Sequence, residues 1–137
     1  MVIYLDSAAI IKLLRREPAT EQLIAWLNER SGMSLVASAL VEVEVPRALR
    51  RSAPLALAGV PGALARLYRV EIDATVRAAA GAYGDPLLRS LDAIHLATAE
   101  VLAAQSGSDF AAFVTYDRRL LDAAKSVGLP VASPGMD

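Results

Sequence analysis

Short apolar runs of β-forming residues alternate along this chain with longer stretches in which apolar residues recur every three or four positions. Val2 to Leu5 is the first run, and Asp6-Ser7 stops it. Ile10, Ile11, Leu13 and Leu14 then share one side of a helix that Pro18 ends. Thr20 is placed to cap a second helix, whose Leu23, Ile24 and Leu27 recur at helical spacing before Ser31-Gly32. Ser34 to Ala37 predicts a buried second strand, with Ser38 as N-cap of a helix over Ala39 to Arg51. Pro46 falls inside that helix, where its ring removes a hydrogen bond and presses on the carbonyl four residues earlier, so a kink or irregular turn is expected.

The second half repeats the alternation. Pro54 to Leu67, interrupted by Gly59-Val60-Pro61-Gly62, reads as a broken helical linker, and Tyr68 to Ile72 as a third strand. Ala74 to Tyr83 predicts a helix and Gly84-Asp85-Pro86 a turn; Ser90 stands where it caps a long helix from Leu91 to about Gln105. Ala111 to Thr115 is the fourth strand, Leu120 to Val127 a helix ended by Gly128, and Leu129-Pro130-Val131 a short strand confined by its proline to a sheet edge. Strands alternating with helices imply a three-layer α/β/α fold around a mostly parallel sheet of four to five strands, a single domain over residues 1–137. The functional crevice of such a sheet lies beyond the carboxyl ends of its strands.

Four acids fall at that end. Asp6 closes the first strand, Glu44 lies beyond the second, Asp92 sits in the first turn of the long helix, and Asp117 follows the fourth strand. Clustered carboxylates repel one another, and an all-oxygen set of this kind suits Mg²⁺ or Mn²⁺, which activates water for attack on a phosphodiester. Each acid also has a local role open to it: Asp6 as a turn residue, Asp92 and Asp117 at helix N-termini, Glu44 paired with Arg47 or Arg51. Ser7 and Thr115 place hydroxyls beside the acids, either to orient a water or phosphate or to stabilise turns. His95, one turn after Asp92, reads as a satisfied structural histidine and is left out of the catalytic set. Trp26 reads as packing, and Arg118 and Arg119 are the arginines placed for phosphate contact.

Composition narrows the chemistry. Cysteine is absent, which excludes disulfides, thiolate metal sites and cysteine nucleophiles. No basic leader and no membrane-length apolar stretch is visible, so a soluble cytoplasmic protein is expected. A hydrophobic fraction of 55% on 137 residues points to apolar surface shared with a second copy, hence a homodimer. The net charge of −1 argues at first against nucleic acid, yet setting four clustered acids aside leaves 14 basic against 11 acidic residues.

Taken together, Ile3-Tyr4-Leu5-Asp6-Ser7-Ala8-Ala9, the stretch from Ser38 to Leu49, Leu91-Asp92-Ala93-Ile94-His95-Leu96-Ala97-Thr98-Ala99 and Phe113-Val114-Thr115-Tyr116-Asp117 resemble the PIN-domain family and, within it, the VapC-type toxins. The resemblance implies an endoribonuclease dependent on Mg²⁺ or Mn²⁺ that leaves a 5′-phosphate and a 3′-hydroxyl. Asp6 and Asp92 would be the leading metal ligands, Glu44 the third acid and Asp117 the supporting fourth. It further implies a dimer, and a VapB-type antitoxin whose tail covers the acidic cleft. Pro46 departs from the aliphatic residue common there, which puts the aim of Glu44 in question, and Glu42 is the neighbouring alternative acid. A haloacid-dehalogenase phosphatase would need a second Asp where Ala8 stands, and a receiver domain is not supplied by Asp73 and Lys125. A non-catalytic α/β interaction domain is the alternative from another class; it would tolerate loss of the carboxylates.

Overall fold

In the computed structural model, which describes residues 1–136, strands β1 (Val2–Leu5), β2 (Ser34–Ser38), β3 (Tyr68–Val70), β4 (Phe110–Val114) and β5 (Val131–Ala132) form one sheet. Every pairing is parallel, and the order is β3-β2-β1-β4-β5. The predicted edge strand is at the edge, and Pro130, which has no N–H to give, accepts the Phe113 N–H through its carbonyl at 2.8 Å.

Side chains alternate across β1, so Ile3 and Leu5 enter one hydrophobic layer while Tyr4 enters the other. The first layer is closed by α1 (Ser7–Leu14), α2 (Thr20–Asn28), α3 (Val41–Ser52) and α4 (Val60–Ala65), contributing Ala9, Ile10, Leu23, Val41, Val45, Leu49 and Val60. On the opposite face, α6 (Ser90–Ser106) and α7 (Arg118–Ser126) bring Leu96, Ala99, Leu120 and Ala124 against Tyr4 and Phe113, and α5 (Ala74–Gly81) packs on α6. A register shift in the β1–β4 pairing, from Val2↔Phe110 to Ile3↔Ala112, inserts one extra residue in β4. That residue moves Phe110 to the same face as Phe113, with Ala112 and Val114 opposite.

Several expected caps sit elsewhere. Thr20 is already helical, behind Ala19 at φ 74°, and its hydroxyl bonds Lys12 O and Glu17 N instead of its own helix. Ser38 Oγ accepts from Leu40 N at 3.1 Å, holding the turn one step before α3. Ser90 is the first residue of α6, with Arg89 at the N-cap. Pro46 lies in the second turn of an α3 that runs through it without an irregular turn; buried Val41, Val45 and Leu49, spaced four apart, hold that helix on the sheet.

After β1 the chain winds outward through β2 and β3, then returns to place β4 on the other side of β1. The reversal point lies between β1 and β4, and their carboxyl ends open there.

Candidate active site

Asp6 follows β1 directly and is the N-cap of α1. Its Oδ1 accepts the Ala9 N–H at 2.9 Å, and its Oδ2 accepts the Thr115 hydroxyl at 2.6 Å. Thr115, fully buried past the end of β4, also receives the Asp117 N–H at 3.2 Å. Asp117 in turn caps α7 by accepting from Arg119 N and Leu120 N. One hydroxyl therefore ties the ends of both central strands together. Asp92 is the third residue of α6, half-buried, and makes no hydrogen bond or ion pair among the described residues.

Glu44, in the first turn of α3, accepts through Oε1 from Ser7 Oγ at 2.6 Å and from His95 Nε2 at 2.8 Å. It is not paired with Arg47 or Arg51. Glu42 is exposed, pairs with Arg69 at 3.5 Å and does not line the cleft, so the structure brings Glu44 to the other acids despite Pro46. All four acids, with Ser7 and His95, line one cleft of about 450 Å³.

The electrostatics record the crowding. Burial pushes the Asp6 carboxyl above its usual range, with the charge of Asp92 adding to it and the Thr115 and Ala9 hydrogen bonds pulling back. Asp92 is also raised, first by burial and then by the charges of Asp117 and Glu44. Burial would raise Glu44 too, but the hydrogen bonds from His95 and Ser7 outweigh it and hold that carboxyl below its usual range.

Reading the sequence missed two features of this site. His95 is satisfied and buried, as expected, but it is joined to Glu44 and, through Nδ1, to the Tyr4 hydroxyl at 2.7 Å. The available signal was its spacing: three residues after Asp92, it shares that acid's helix face, and a buried imidazole needs polar partners. The cleft's arginines are Arg47 and Arg51 on α3, at positions three and seven residues after Glu44. Arg118 and Arg119 are exposed in the first turn of α7 and are not among the lining residues. Trp26 packs partly buried against the first core layer, under the Arg30 guanidinium. The larger cavity, about 550 Å³ between α1, α2 and α4, is lined by apolar residues such as Leu13, Ile24, Leu27 and Met33 and by no carboxylate, so it holds no comparable chemistry.

Among the described residues no three acidic or histidine side chains are gathered tightly enough to hold a metal ion by themselves. The donor set is nonetheless all oxygen, and neither of the cleft's arginines, Arg47 and Arg51, forms an ion pair with any of the four acids. That combination fits a hydrated hard cation, which keeps several waters and needs only one or two carboxylates directly. No helix of the described residues is long and apolar enough to cross a membrane.

The PIN domain model matches residues 3–126 of the chain. Ribonuclease VapC35 of Mycobacterium tuberculosis is 49% identical over 134 residues, covering 98% of both chains. Ribonuclease VapC46 of the same organism is 44% identical over 132 residues, covering 96% of this chain and 97% of its own. Among solved structures, VapBC2 from Rickettsia felis bound to a promoter DNA fragment superimposes with a TM-score of 0.72 at 14% identity, over 98% of this chain and 99% of that one. FitAcB from Neisseria gonorrhoeae gives 0.67 at 21% identity, over 96% and 97%. The structural likenesses speak for the fold alone, but the family match spans most of the chain and the sequence matches run almost the full length, so the chain belongs to the PIN-domain family, in its VapC group.

Proposed function

We propose that this protein is a VapC-type toxin, an endoribonuclease that hydrolyses RNA phosphodiesters through its acidic cleft and is neutralised by a VapB-type antitoxin. The observation that carries the reading is the convergence of Asp6, Glu44, Asp92 and Asp117 on one cleft at the carboxyl edge of the sheet. The kinship with VapC35 and VapC46 supports RNA as the substrate, and the VapBC2 likeness supports the class of partner.

Asp6 and Asp92 are the residues placed to hold Mg²⁺ or Mn²⁺, with Glu44 and Asp117 beside them. When bound, such a cation supplies Lewis-acid chemistry, offsetting the charge of the phosphodiester and lowering the pKa of water. Ser7 and Thr115 hold Glu44 and Asp6 in place by donating to them. Glu44, kept ionised by its donors, is suited to orient the attacking water by accepting a hydrogen bond from it. Arg47 and Arg51 present guanidinium donors along the cleft for phosphates of the strand. Water adds to phosphorus, the bond to the 3′ oxygen breaks, and the products are a 5′-phosphate and a 3′-hydroxyl. Exposed Leu55 and Leu87, outside the cleft, leave apolar area for the homodimer, which light scattering measures.

The test is cleavage of transfer, ribosomal and messenger RNA with Mg²⁺ or Mn²⁺, against chelator and Asp6→Ala. Cleavage that persists in that variant, or in chelator, refutes the mechanism.

A further inference from the structure

Glu44 is anchored on one side only. Its Oε1 takes both hydrogen bonds, from Ser7 and His95, while no described residue bonds Oε2. Behind it lies a second tier. His95 is 2% exposed, and its Nδ1 meets the hydroxyl of Tyr4, itself fully buried. The Ser38 N–H donates to that same phenol oxygen at 3.2 Å, and the Tyr4 ring stacks on Phe113 at 5.2 Å between centroids, with planes 4° apart.

For a neutral imidazole the protons along this row have one consistent arrangement. Ser7 has a single hydroxyl proton and gives it to Glu44, so it faces His95 Nε2, 3.2 Å away, as an acceptor. The Glu44 carboxylate accepts only. Both neighbours therefore require the proton of the neutral ring on Nε2, leaving Nδ1 as acceptor. Tyr4 meets that need: Ser38 donates to its oxygen, and its own proton is directed at Nδ1. The row runs one way, from the end of β2 through Tyr4 and His95 to Glu44.

We infer that His95 is a positioning residue for Glu44, held in its Nε2–H tautomer by the Tyr4 hydroxyl, so that Oε1 belongs to the protein and Oε2 alone is presented to the cleft. A glutamate has three rotatable side-chain bonds, and the repulsion from Asp92 would otherwise favour rotamers that carry it away. The kinetic consequence rests on the ribonuclease reading; the tautomer and the aim of Glu44 rest on geometry alone.

His95 is the only histidine in the sequence, so the imidazole nitrogen spectrum of the ¹⁵N-labelled, metal-free protein reports one ring. The expected pattern is the Nε2–H tautomer, with the Nε2 resonance displaced in Glu44→Gln and the Nδ1 resonance displaced in Tyr4→Phe. In RNA cleavage, His95→Leu is expected to lower kcat about 10- to 100-fold at unchanged KM. His95→Gln, whose amide N–H reaches toward the place of Nε2, restores most of it. Circular dichroism melts identify any variant that fails to fold, and Glu44→Gln, at the half-buried end of the row, keeps the spectroscopic test available in that event. An Nδ1–H ring in the parent protein, a ring spectrum indifferent to Glu44→Gln, or a folded His95→Leu with full kcat overturns the inference. A protein with no cleavage activity whose ring is Nε2–H and responds to Glu44→Gln supports the positioning and overturns the ribonuclease reading instead.

Discussion

Replacing Thr115 by valine keeps the side chain's shape and removes one hydroxyl. That hydroxyl is fully buried; it donates to Asp6 Oδ2 at 2.6 Å and accepts the Asp117 N–H at 3.2 Å. A hydrogen bond to a charged group contributes about 1.5–3 kcal/mol and a neutral one about 1 kcal/mol. The loss expected for Thr115→Val is therefore about 3 kcal/mol at neutral pH, a fall in thermal midpoint of roughly 6–12 °C for a chain of this size. The pH dependence follows from Asp6. Burial already holds its folded pKa above the unfolded value, so ionised Asp6 costs stability above that folded pKa, and the cost is relieved as pH falls through it. The Thr115 hydroxyl pulls that pKa down; removing it raises the pKa further and enlarges the cost of the ionised form. The gap between variant and parent is thus widest near neutrality and narrows in acid. Circular dichroism melts of both proteins at several pH values, without divalent cation, measure it. A midpoint within about 2 °C of the parent at neutral pH, or a gap that does not narrow in acid, refutes the view that Thr115 braces Asp6.

Other outcomes follow from the same structure. Asp92→Asn is expected to raise the thermal midpoint at neutral pH and to abolish Mn²⁺ binding by calorimetry, since its raised pKa means the ionised form costs stability above that pKa; the stability gain disappears in acid. Gly128 and Gly135 have φ of +83° and +84°, but a Cβ at Gly128 meets nothing within 4 Å, whereas one at Gly135 falls 2.9 Å from the Cβ atoms of Ala19 and Gln22. Urea titrations should show Gly128→Ala losing about 1–2 kcal/mol for backbone strain alone and Gly135→Ala losing clearly more; equal losses contradict the packing of the 133–136 segment on α2. Glu17 is pulled below its usual range by Arg15 and Lys12 against an opposing effect of burial, so it stabilises above its unfolded pKa and that contribution is lost as pH falls through the folded one. Glu17→Gln should flatten the acid limb of stability, at a cost of at most about 1 kcal/mol near neutrality.

How far this could be read from residues alone depended on how local each cause was. The strand-helix alternation and the edge position of the last strand follow from period and from Pro130, and the structure has both. Thr20, Ser38 and Ser90 were read as helix caps from residue type, but competing partners decide cap positions. Lys12 O and Glu17 N claim Thr20, and the Leu40 turn claims Ser38. Pro46 predicts a kink or irregular turn because of one lost hydrogen bond; three apolar side chains buried along α3 hold the helix through it. The four acids were legible because each follows a strand or opens a helix, which determines where it emerges. Their supporting partners were not, since Tyr4 and His95 are 91 positions apart and meet only when β1 and α6 pack. Arg47 and Arg51 lie within reach of a helical-face argument from Glu44, three and seven residues before them on α3.

The four carboxylates differ in what offsets their charge, and that difference gives the cleft its polarity. Asp6 and Asp117 are N-caps with main-chain N–H donors, and Glu44 has Ser7 and His95. Asp92 has no hydrogen-bond donor among the described residues, only the positive end of α6, a contribution of about 0.3–1 kcal/mol, and the more distant pull of His95 and Arg89. Its raised pKa shows that this does not cancel burial and the charges of Asp117 and Glu44. Negative charge is thus least compensated at Asp92, the point where an arriving divalent cation gains most. The fold tolerates that cost because buried Ala93, Leu96, Ala97 and Ala99 anchor α6 in the core and fix where Asp92 leaves the helix.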